Sequence, residues 1–409
     1  MTSSQDHARQ DLLVSVNSKR RWVAWVENER VVEFHYEPEG EANTEGNIYL
    51  GRVTHVERGL GAAFVDIGTK GAAFLPLSDL PAPVVEGAKQ IVQIERWGGP
   101  DKGPRVTTRV SLTGVCLVLQ PGRRGVSISE RIVDKSERSR LSALVGAIAQ
   151  PGEGFVVRTA AIDVEERQLR EEAAALRMSW QKLSDLFQAE RPAALYRQPP
   201  VDLRLLRDHG RQFSQICYDQ RGAAEAAEAW CNAAVPGLAN RIAFHRSTDW
   251  TPAVGQILEQ IEDALDPRVD LAEGGGLMIE PTEAMTVVDV NALGAGAAQP
   301  GAVGERALLR TNLAAADEIA RQIRLRNVGG IVVVDFIDLR DAAHRRQVVD
   351  RLRNATASDS APVWIGAMSR LGLVELTRKR RGPTLAQIMT KTCATCEGTG
   401  RARRPMDEL

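Results

Sequence analysis

The sequence predicts a multidomain α/β protein, and three stretches of the chain support this prediction. Residues 12–36 read as short strands separated by polar spacers, which is typical of a β-meander. Residues 48–94 contain shorter strands interrupted by glycines, which is typical of a small closed barrel. Further along, residues 285–291 and 331–338 are runs of mostly β-branched residues on either side of a segment with helical periodicity. That arrangement is the βαβ pattern.

Composition narrows the class of protein. Hydrophobic residues make up 43% and charged residues 26% of the 409 positions, as in an ordinary soluble globular protein. The net charge of −1 supplies no global attraction to nucleic acid, so any such affinity must come from local clusters such as 378–381. No apolar run approaches the roughly 18 residues of a membrane span, and no signal peptide is recognisable. Five cysteines without a disulfide pattern favour the reducing cytoplasm.

Two aspartates end the β-branched runs. Parallel strands joined by a right-handed crossover point the same way, so Asp289 and Asp335 should meet at one edge of a sheet. Two carboxylates there suit a hard cation such as Mg²⁺, although either residue alone could instead cap a helix. Asn291 lies on the same face as Asp289, and its presence favours metal binding over helix capping. Asp338 lies an odd number of residues past Asp335, so we expect it to face the other way and to be structural or to support the metal ligands without binding the metal itself.

Residue spacing and composition predict two helices. Residues 304–326 carry apolar side chains at a spacing near 3.6 residues, and Gly329 and Gly330 follow as helix-ending residues. This helix bridges the two acidic strands. Residues 165–190 are dense in Ala, Leu, Glu and Arg, which are good helix formers.

A CxxC pair lies near the end of the sequence. Cys393 and Cys396 form half of a tetrahedral zinc site, and neither a second pair nor a histidine lies nearby. Two copies of the chain would supply four thiolates. A redox CxxC is the rival interpretation, but such a motif ordinarily opens a helix, and here Gly398 and Gly400 follow.

Short segments spread over nearly the whole chain occur together, in one order, in a known family. They are residues 46–53, 62–68, 74–77, 101–108, 157–160, 282–291, 312–320, 335–338, 369–373 and 393–400. In these segments the chain resembles the ribonuclease E/G family, in a short form without that family's small C-terminal domain.

The resemblance implies an order of domains. An RNase H-like layer would comprise residues 1–45 and 200–266. An OB-fold RNA-binding barrel (46–110) and a 5′-sensor region (111–199) would be inserted into it. A DNase I-like α/β catalytic domain (267–390) and a zinc link (391–409) would follow.

The resemblance also implies an activity. Residues matching Asp289 and Asp335 hold the catalytic Mg²⁺ in the family, and the residue matching Asn291 supports the site. The implied reaction is endonucleolytic hydrolysis of single-stranded RNA, in RNA processing or decay, leaving 5′-phosphate and 3′-hydroxyl ends. Cys393 and Cys396 would bind a structural Zn²⁺ shared between two subunits, which makes a homodimer the expected assembly.

Two further sets of residues are implied to contact RNA. Phe64, Phe74 and Lys102 match the RNA-contacting surface of the barrel, although phenylalanines in small barrels more commonly fill the core. Arg158 and Thr159 match the pair that binds a 5′-monophosphate, with neighbouring positions at Gly114 and Val118. The guanidinium fork suits a phosphate.

One departure from the family leaves a rival hypothesis open. The family usually continues after Asn291 with a serine and a basic residue, whereas residues 292–296 here are Ala, Leu, Gly, Ala and Gly. A catalytically weakened RNA-binding protein of the same fold is therefore the alternative to the enzyme. A polyanion- or nucleotide-binding regulator is a third hypothesis.

Overall fold

The computed structural model describes residues 9–38, 44–69, 71–80, 82–96, 98, 103–188, 193–235, 237–245, 247–292, 304–396, 398 and 400, with the backbone alone at 188 and 247–253. The strands are, in chain order, β1 (Gln10–Val16), β2 (Arg20–Glu27), β3 (Arg30–Pro38), β4 (Ile48–Glu57), β5 (Ala62–Asp66), β6 (Ala73–Pro76), β7 (Lys89–Arg96), β8 (Arg105–Thr107), β9 (Leu112–Thr113), β10 (Leu117–Pro121), β11 (Gly125–Ile128), β12 (Glu153–Val157), β13 (Ala193–Tyr196), β14 (Gln215–Tyr218), β15 (Ile242–Phe244), β16 (Arg268–Asp270), β17 (Gly276–Pro281), β18 (Met285–Asn291), β19 (Gly330–Asp335), β20 (Val363–Ile365) and β21 (Leu373–Arg378).

The helices are α1 (Lys135–Ile148), α2 (Glu166–Asp185), α3 (Val201–His209), α4 (Arg221–Ala234), α5 (Ser247–Asp263), α6 (Glu305–Leu325), α7 (Ala342–Thr356) and α8 (Leu385–Met389). Within the described residues, none of them combines the length and the apolar character that a bilayer span requires. The helices predicted over 165–190 and 304–326 are confirmed as α2 and α6.

Backbone contacts divide the chain into two compact units. The first comprises Met1–Glu29 and His35–Pro252, and the second comprises Arg30–Phe34 and Ala253–Leu409. The division into six segments implied by the family resemblance is finer than this one and stays a prediction.

The strands predicted near the start of the chain are confirmed. They form one sheet in the order β15-β14-β1-β2-β3, in which β1 runs antiparallel to β2 and parallel to β14. Five successive residues of β2, from Trp22 to Val26, are buried. A strand buried on both faces reads as a continuous apolar run, as this one does.

A small closed barrel is also confirmed. Strands β4, β5, β6, β8 and β7 follow one another, and β4 pairs with β7 to close the ring, while β13 pairs with β4 from outside. Val53, Val65, Leu75 and Val92 belong to its apolar core. Gly51 is required by close packing, because a Cβ there would lie 2.4 Å from Cγ1 of Val65.

A four-stranded sheet in the order β11-β12-β10-β9 follows the barrel strands in sequence. Its core side chains include Leu117 and Val157 from the strands, with Leu141 of α1 and Leu169 of α2. Both helices bury their apolar side chains in this one cluster. This packing stabilises the two helices although many of their other residues are charged.

The second unit contains a six-stranded sheet in the order β16-β17-β18-β19-β21-β20. Strands β18 and β19 are parallel and are joined by α6, as predicted. Alternate residues of both strands, such as Val288 and Val332, are buried in one core with Ile319 and Ile323 of α6.

The residues that stop α6 differ from the prediction. The helix ends at Leu325, close to the predicted Arg326, but the sequence pattern assigns the stop to Gly329 and Gly330, whereas Asn327 adopts the positive φ, of 48°. The amide of Val328 donates to the carbonyl of Ile323, 2.9 Å away, in the six-to-one bond of a Schellman-type ending. Asparagine is the residue other than glycine that most readily takes this conformation.

Candidate active site

The acid pair is brought together by strand register. Asp289 of β18 and Asp335 of β19 are direct partners in the parallel ladder. Asp335 is the last residue of its strand, and Asp289 lies two residues before the end of its strand. Their sequence neighbours Val288 and Val334 are fully buried, so both aspartates lie on the opposite, exposed face of the sheet. The predicted convergence of these two residues is therefore confirmed, while their catalytic role stays a prediction.

Two neighbouring residues extend the acid pair. The Nδ2 of Asn291 donates to Oδ2 of Asp289 at 2.7 Å, which fixes the orientation of that carboxylate. A Cβ placed on Gly372 would lie 3.3 Å from Oδ1 of Asp338 and 4.0 Å from Oδ1 of Asp335, so both carboxylates border the same glycine. The expectation that Asp338 faces away from Asp335 is wrong. Strand β19 ends at Asp335, so strand alternation does not extend to Asp338.

The electrostatics of this edge are those of uncompensated negative charge. Burial, and then the charges of Asp289 and Asp338, raise the pKa of Asp335. Among the described residues no salt bridge joins Asp289 or Asp335 to a cation. A bound cation would relieve the repulsion between these carboxylates.

The donor set suits Mg²⁺ better than it suits a transition metal. The described residues contain no group of three or more His, Cys, Asp or Glu side chains arranged around one point. Asp289, Asp335 and the amide of Asn291 instead offer oxygen donors only. Mg²⁺ prefers oxygen ligands and usually keeps several waters, so one or two carboxylates are sufficient.

A buried asparagine that the sequence patterns do not single out holds the loop after β19. Asn312 of α6 is fully buried, and its Nδ2 donates to the carbonyl of Ile337 at 2.7 Å. Its Oδ1 accepts from the amide of Ile337 at 3.1 Å. This two-point contact fixes the backbone between Asp335 and Asp338. An amide on the apolar side of an amphipathic helix is the signal that could have revealed it.

The two phenylalanines of the barrel lie together at its surface. Phe64 of β5 and Phe74 of β6 are cross-strand partners with ring centroids 6.2 Å apart, edge to face, and the ring of His55 stacks on Phe64 at 6.4 Å. Both phenylalanines are half-buried, whereas their neighbours Val65 and Leu75 are fully buried. The core-filling alternative is thereby wrong. Binding of RNA stays a prediction, and Lys102 lies outside the described residues.

Arg158 is held by acceptors of its own chain. Its Nη1 donates to the carbonyls of Gly114 (2.6 Å) and Val115 (3.2 Å), and its Nη2 pairs with Asp208 of α3. Burial acts to raise the pKa of Asp208, but the guanidinium of Arg207 and that of Arg158 outweigh it and lower this pKa to about 2. Asp208 was not among the predicted residues.

The structure gives a different local setting to each of the other residues predicted to bind the 5′-phosphate. Thr159 follows it directly and is half-buried, and Val118 lies on β10, paired with Val156 of the neighbouring strand. A Cβ on Gly114 would lie 2.0 Å from Oε1 of Glu172, so close packing alone explains that glycine. Binding of a 5′-phosphate stays a prediction.

The cysteine pair occupies an exposed turn. Cys393 is exposed and Cys396 half-buried. Hydrogen bonds from the backbone of Cys396 and of Thr395 lower the pKa of the Cys393 thiol. A lowered pKa favours the thiolate, which is the form that binds metal ions. Zinc binding itself stays a prediction.

Comparison with known proteins identifies the family of the chain. The model of the Ribonuclease E/G family matches residues 111–381. The chain is 35% identical to Ribonuclease G of Escherichia coli (strain K12) over 422 residues, which cover 96% of this chain and 84% of that protein. It is 38% identical to Ribonuclease E of Nostoc sp. over 379 residues, which cover 88% of this chain and 54% of that one. The chain therefore belongs to the Ribonuclease E/G family, as the resemblance indicated.

Proposed function

We propose that the chain is an endoribonuclease that acts on single-stranded RNA in RNA processing or decay. The observation that carries the proposal is the direct pairing of Asp289 with Asp335 on the exposed face of the sheet, near the carboxyl ends of their strands. Among the described residues, no cationic side chain forms a salt bridge with either of them. Family membership supports it, because the similar proteins are named Ribonuclease G and Ribonuclease E.

The acid pair is the proposed catalytic site. Asp289 and Asp335 would hold Mg²⁺, and Asn291 orients Asp289 for this task through its 2.7 Å hydrogen bond. When bound, Mg²⁺ supplies a more acidic water and neutralises charge on the phosphate. The products are fragments with 5′-phosphate and 3′-hydroxyl ends. Asn312 holds the backbone between Asp335 and Asp338 in place, so the carboxylate of Asp335 keeps one orientation toward the substrate.

Other parts of the chain bind the substrate and a second copy of the protein. The edge-to-face pair of Phe64 and Phe74 provides aromatic faces on which bases stack. Arg158 and Thr159 bind the 5′-monophosphate of the substrate. Cys393 and Cys396 from two chains share one Zn²⁺ and make a homodimer; the lowered pKa of Cys393 supports this role.

The test is cleavage of a 5′-monophosphorylated, A/U-rich oligoribonucleotide with Mg²⁺ and with a chelator. We expect wild-type protein to cleave only with Mg²⁺ and to leave 5′-phosphate ends. Asp289→Asn should bind the oligonucleotide without cleaving it. Asp350→Asn, an exposed aspartate on α7, is the matched control and should cleave normally. Equal cleavage by Asp289→Asn and wild type would remove the proposed site. Binding without cleavage by wild-type protein would favour the RNA-binding alternative.

A further inference from the structure

A cavity of about 420 Å³ lies on the second unit beside the acid pair. Its lining includes Arg268 and Asp270 of β16, Met278 of β17 and Asn291 of β18. Three successive glycines also line it: Gly274 and Gly275 in the loop before β17, and Gly276 as the first residue of that strand. Cavities of roughly 300–1,000 Å³ are the size that binds small organic groups.

Strand register aligns one wall of the cavity with the acids. Arg268 pairs with Met278, Met278 pairs with Asp289, and Asp289 pairs with Asp335. Directly paired residues in a sheet project from the same face, so Arg268 lies on the face that carries both acids. Two strand spacings of roughly 4.8 Å place the Cα of Arg268 about 10 Å from that of Asp289. The long side chain of arginine can cover much of this distance.

The neighbouring row explains why there is a cavity. Asp270 pairs with Gly276 and Gly276 pairs with Asn291, so the middle position of that row has no side chain. Gly275 has a φ of +93°, and a Cβ there would lie 2.3 Å from the carbonyl oxygen of Asn291. The floor is therefore backbone that a ligand can approach closely.

Arg268 is available to an anionic ligand. Its only salt bridge among the described residues joins its Nε to Oδ1 of Asp270 at 3.1 Å, and the two side chains are 72% and 77% exposed. Exposed pairs of this kind contribute little to stability, so an incoming phosphate can compete with Asp270.

We propose that this cavity binds one nucleotide of the RNA strand, next to the phosphodiester that lies at the acid pair, and that Arg268 binds the phosphate of this nucleotide. The inference rests on the proposed function and extends it with a substrate-positioning residue. The guanidinium fork matches a phosphate, and the glycine floor accepts the flat face of the base or the sugar. Asp270 competes with the phosphate for Arg268 and so limits affinity.

The test measures kcat and KM for cleavage of one oligoribonucleotide by four variants. Arg268→Ala should raise KM by roughly fivefold with little change in kcat, because it removes one charge-assisted contact. The dependence of log affinity on log salt concentration should become shallower by about 0.7. Arg268→Lys should recover part of the loss, and Asp270→Asn should lower KM because it frees Arg268.

Arg351→Ala is the matched control. Arg351 is an exposed arginine of the same unit, paired with Asp317, but it belongs to α7, away from the cavity. KM values of Arg268→Ala and Arg351→Ala that agree would overturn the inference, as would a higher KM for Asp270→Asn. If wild-type protein cleaves no RNA, the proposed function fails separately. Equilibrium binding of the same oligonucleotide to Arg268→Ala and Arg351→Ala then still decides whether Arg268 contacts it.

Discussion

The paired strands β19 and β21 carry charged side chains at both ends, and among the described residues the charge is neutralised by a partner at one end but not at the other. Where Gly330 pairs with Arg378, the guanidinium of Arg378 binds Asp359 through Nε (2.8 Å) and Nη2 (3.1 Å), and both side chains are 2% exposed. Where Asp335 pairs with Leu373, burial raises the pKa of Asp335, and so do the like charges of Asp289 and Asp338.

This difference separates charge that serves the fold from charge that serves a ligand. A buried ion must be paired with a partner of opposite sign, and buried Asp359 is paired with Arg378. Asp289 and Asp335 lie side by side on the exposed face of the sheet, and the repulsion between their like charges destabilises the folded chain. An arrangement of charges that lowers stability in this way is a candidate functional site.

The largest expected effect is on catalysis, at the end of β19 where Asp335 has no partner of opposite charge among the described residues. Asp335→Asn should lower the cleavage rate by at least about 1,000-fold, or roughly 4 kcal/mol, because it removes a proposed ligand of Mg²⁺. It should not lower the melting temperature, because it also removes repulsion from Asp289 and Asp338. Cleavage rate and thermal unfolding of the same preparation check both. A variant that lost activity by unfolding would contradict the comparison.

At the other end, where Arg378 is paired with Asp359, a substitution should affect stability. Asp359→Asn leaves Arg378 buried without its partner and should destabilise the second unit by about 3 kcal/mol. Denaturant unfolding measures this, with Asp350→Asn as an exposed control that should stay within about 0.5 kcal/mol of wild type. The double variant with Arg378→Met should recover part of the loss. No recovery would mean that the hydrogen bonds of Arg378 to Asn327 and Val328 matter more than the pair.

Asp208 extends the comparison to the first unit and adds a dependence on pH. Its pKa is about 2 in the folded chain against an ordinary 3.8, so its ionised form contributes about 2 kcal/mol at neutral pH. A lowered pKa means that this contribution is present above pH 3.8 and is lost as the pH falls toward 2. Asp208→Asn should therefore destabilise the chain at pH 7, and the difference from wild type should shrink below about pH 4. A difference independent of pH would exclude this account.

The smallest expected effect is at the barrel surface, where charge is not involved. Phe74→Leu keeps an apolar side chain against Phe64 but removes one aromatic face, and should weaken RNA binding by about 1 kcal/mol. Leu60→Ala, at an exposed leucine between β4 and β5, is the control and should bind normally. Fluorescence anisotropy with a labelled oligoribonucleotide compares them. Equal affinities would place the RNA elsewhere.

Much of the fold was predictable because periodicity survives in the sequence. Helix α6 follows from its apolar spacing, and the parallel pairing of β18 with β19 follows from the handedness of βαβ units. The orientation of Asp338 was predicted wrongly because side chains alternate only inside a strand. Strand β19 ends at Asp335, and Asn312 holds the loop that follows, which no sequence pattern showed.

By itself the sequence determined the kinds of element, the family and the two acids, because strand and helix periods and motif order are local properties of the chain. Only the tertiary structure decided which charges are matched. It paired Asp208 with Arg158 and Asp359 with Arg378, and it aligned Arg268 with the acid pair across two intervening strand spacings. Pairing depends on register and on distances between residues far apart in the chain, and no local pattern records either of them.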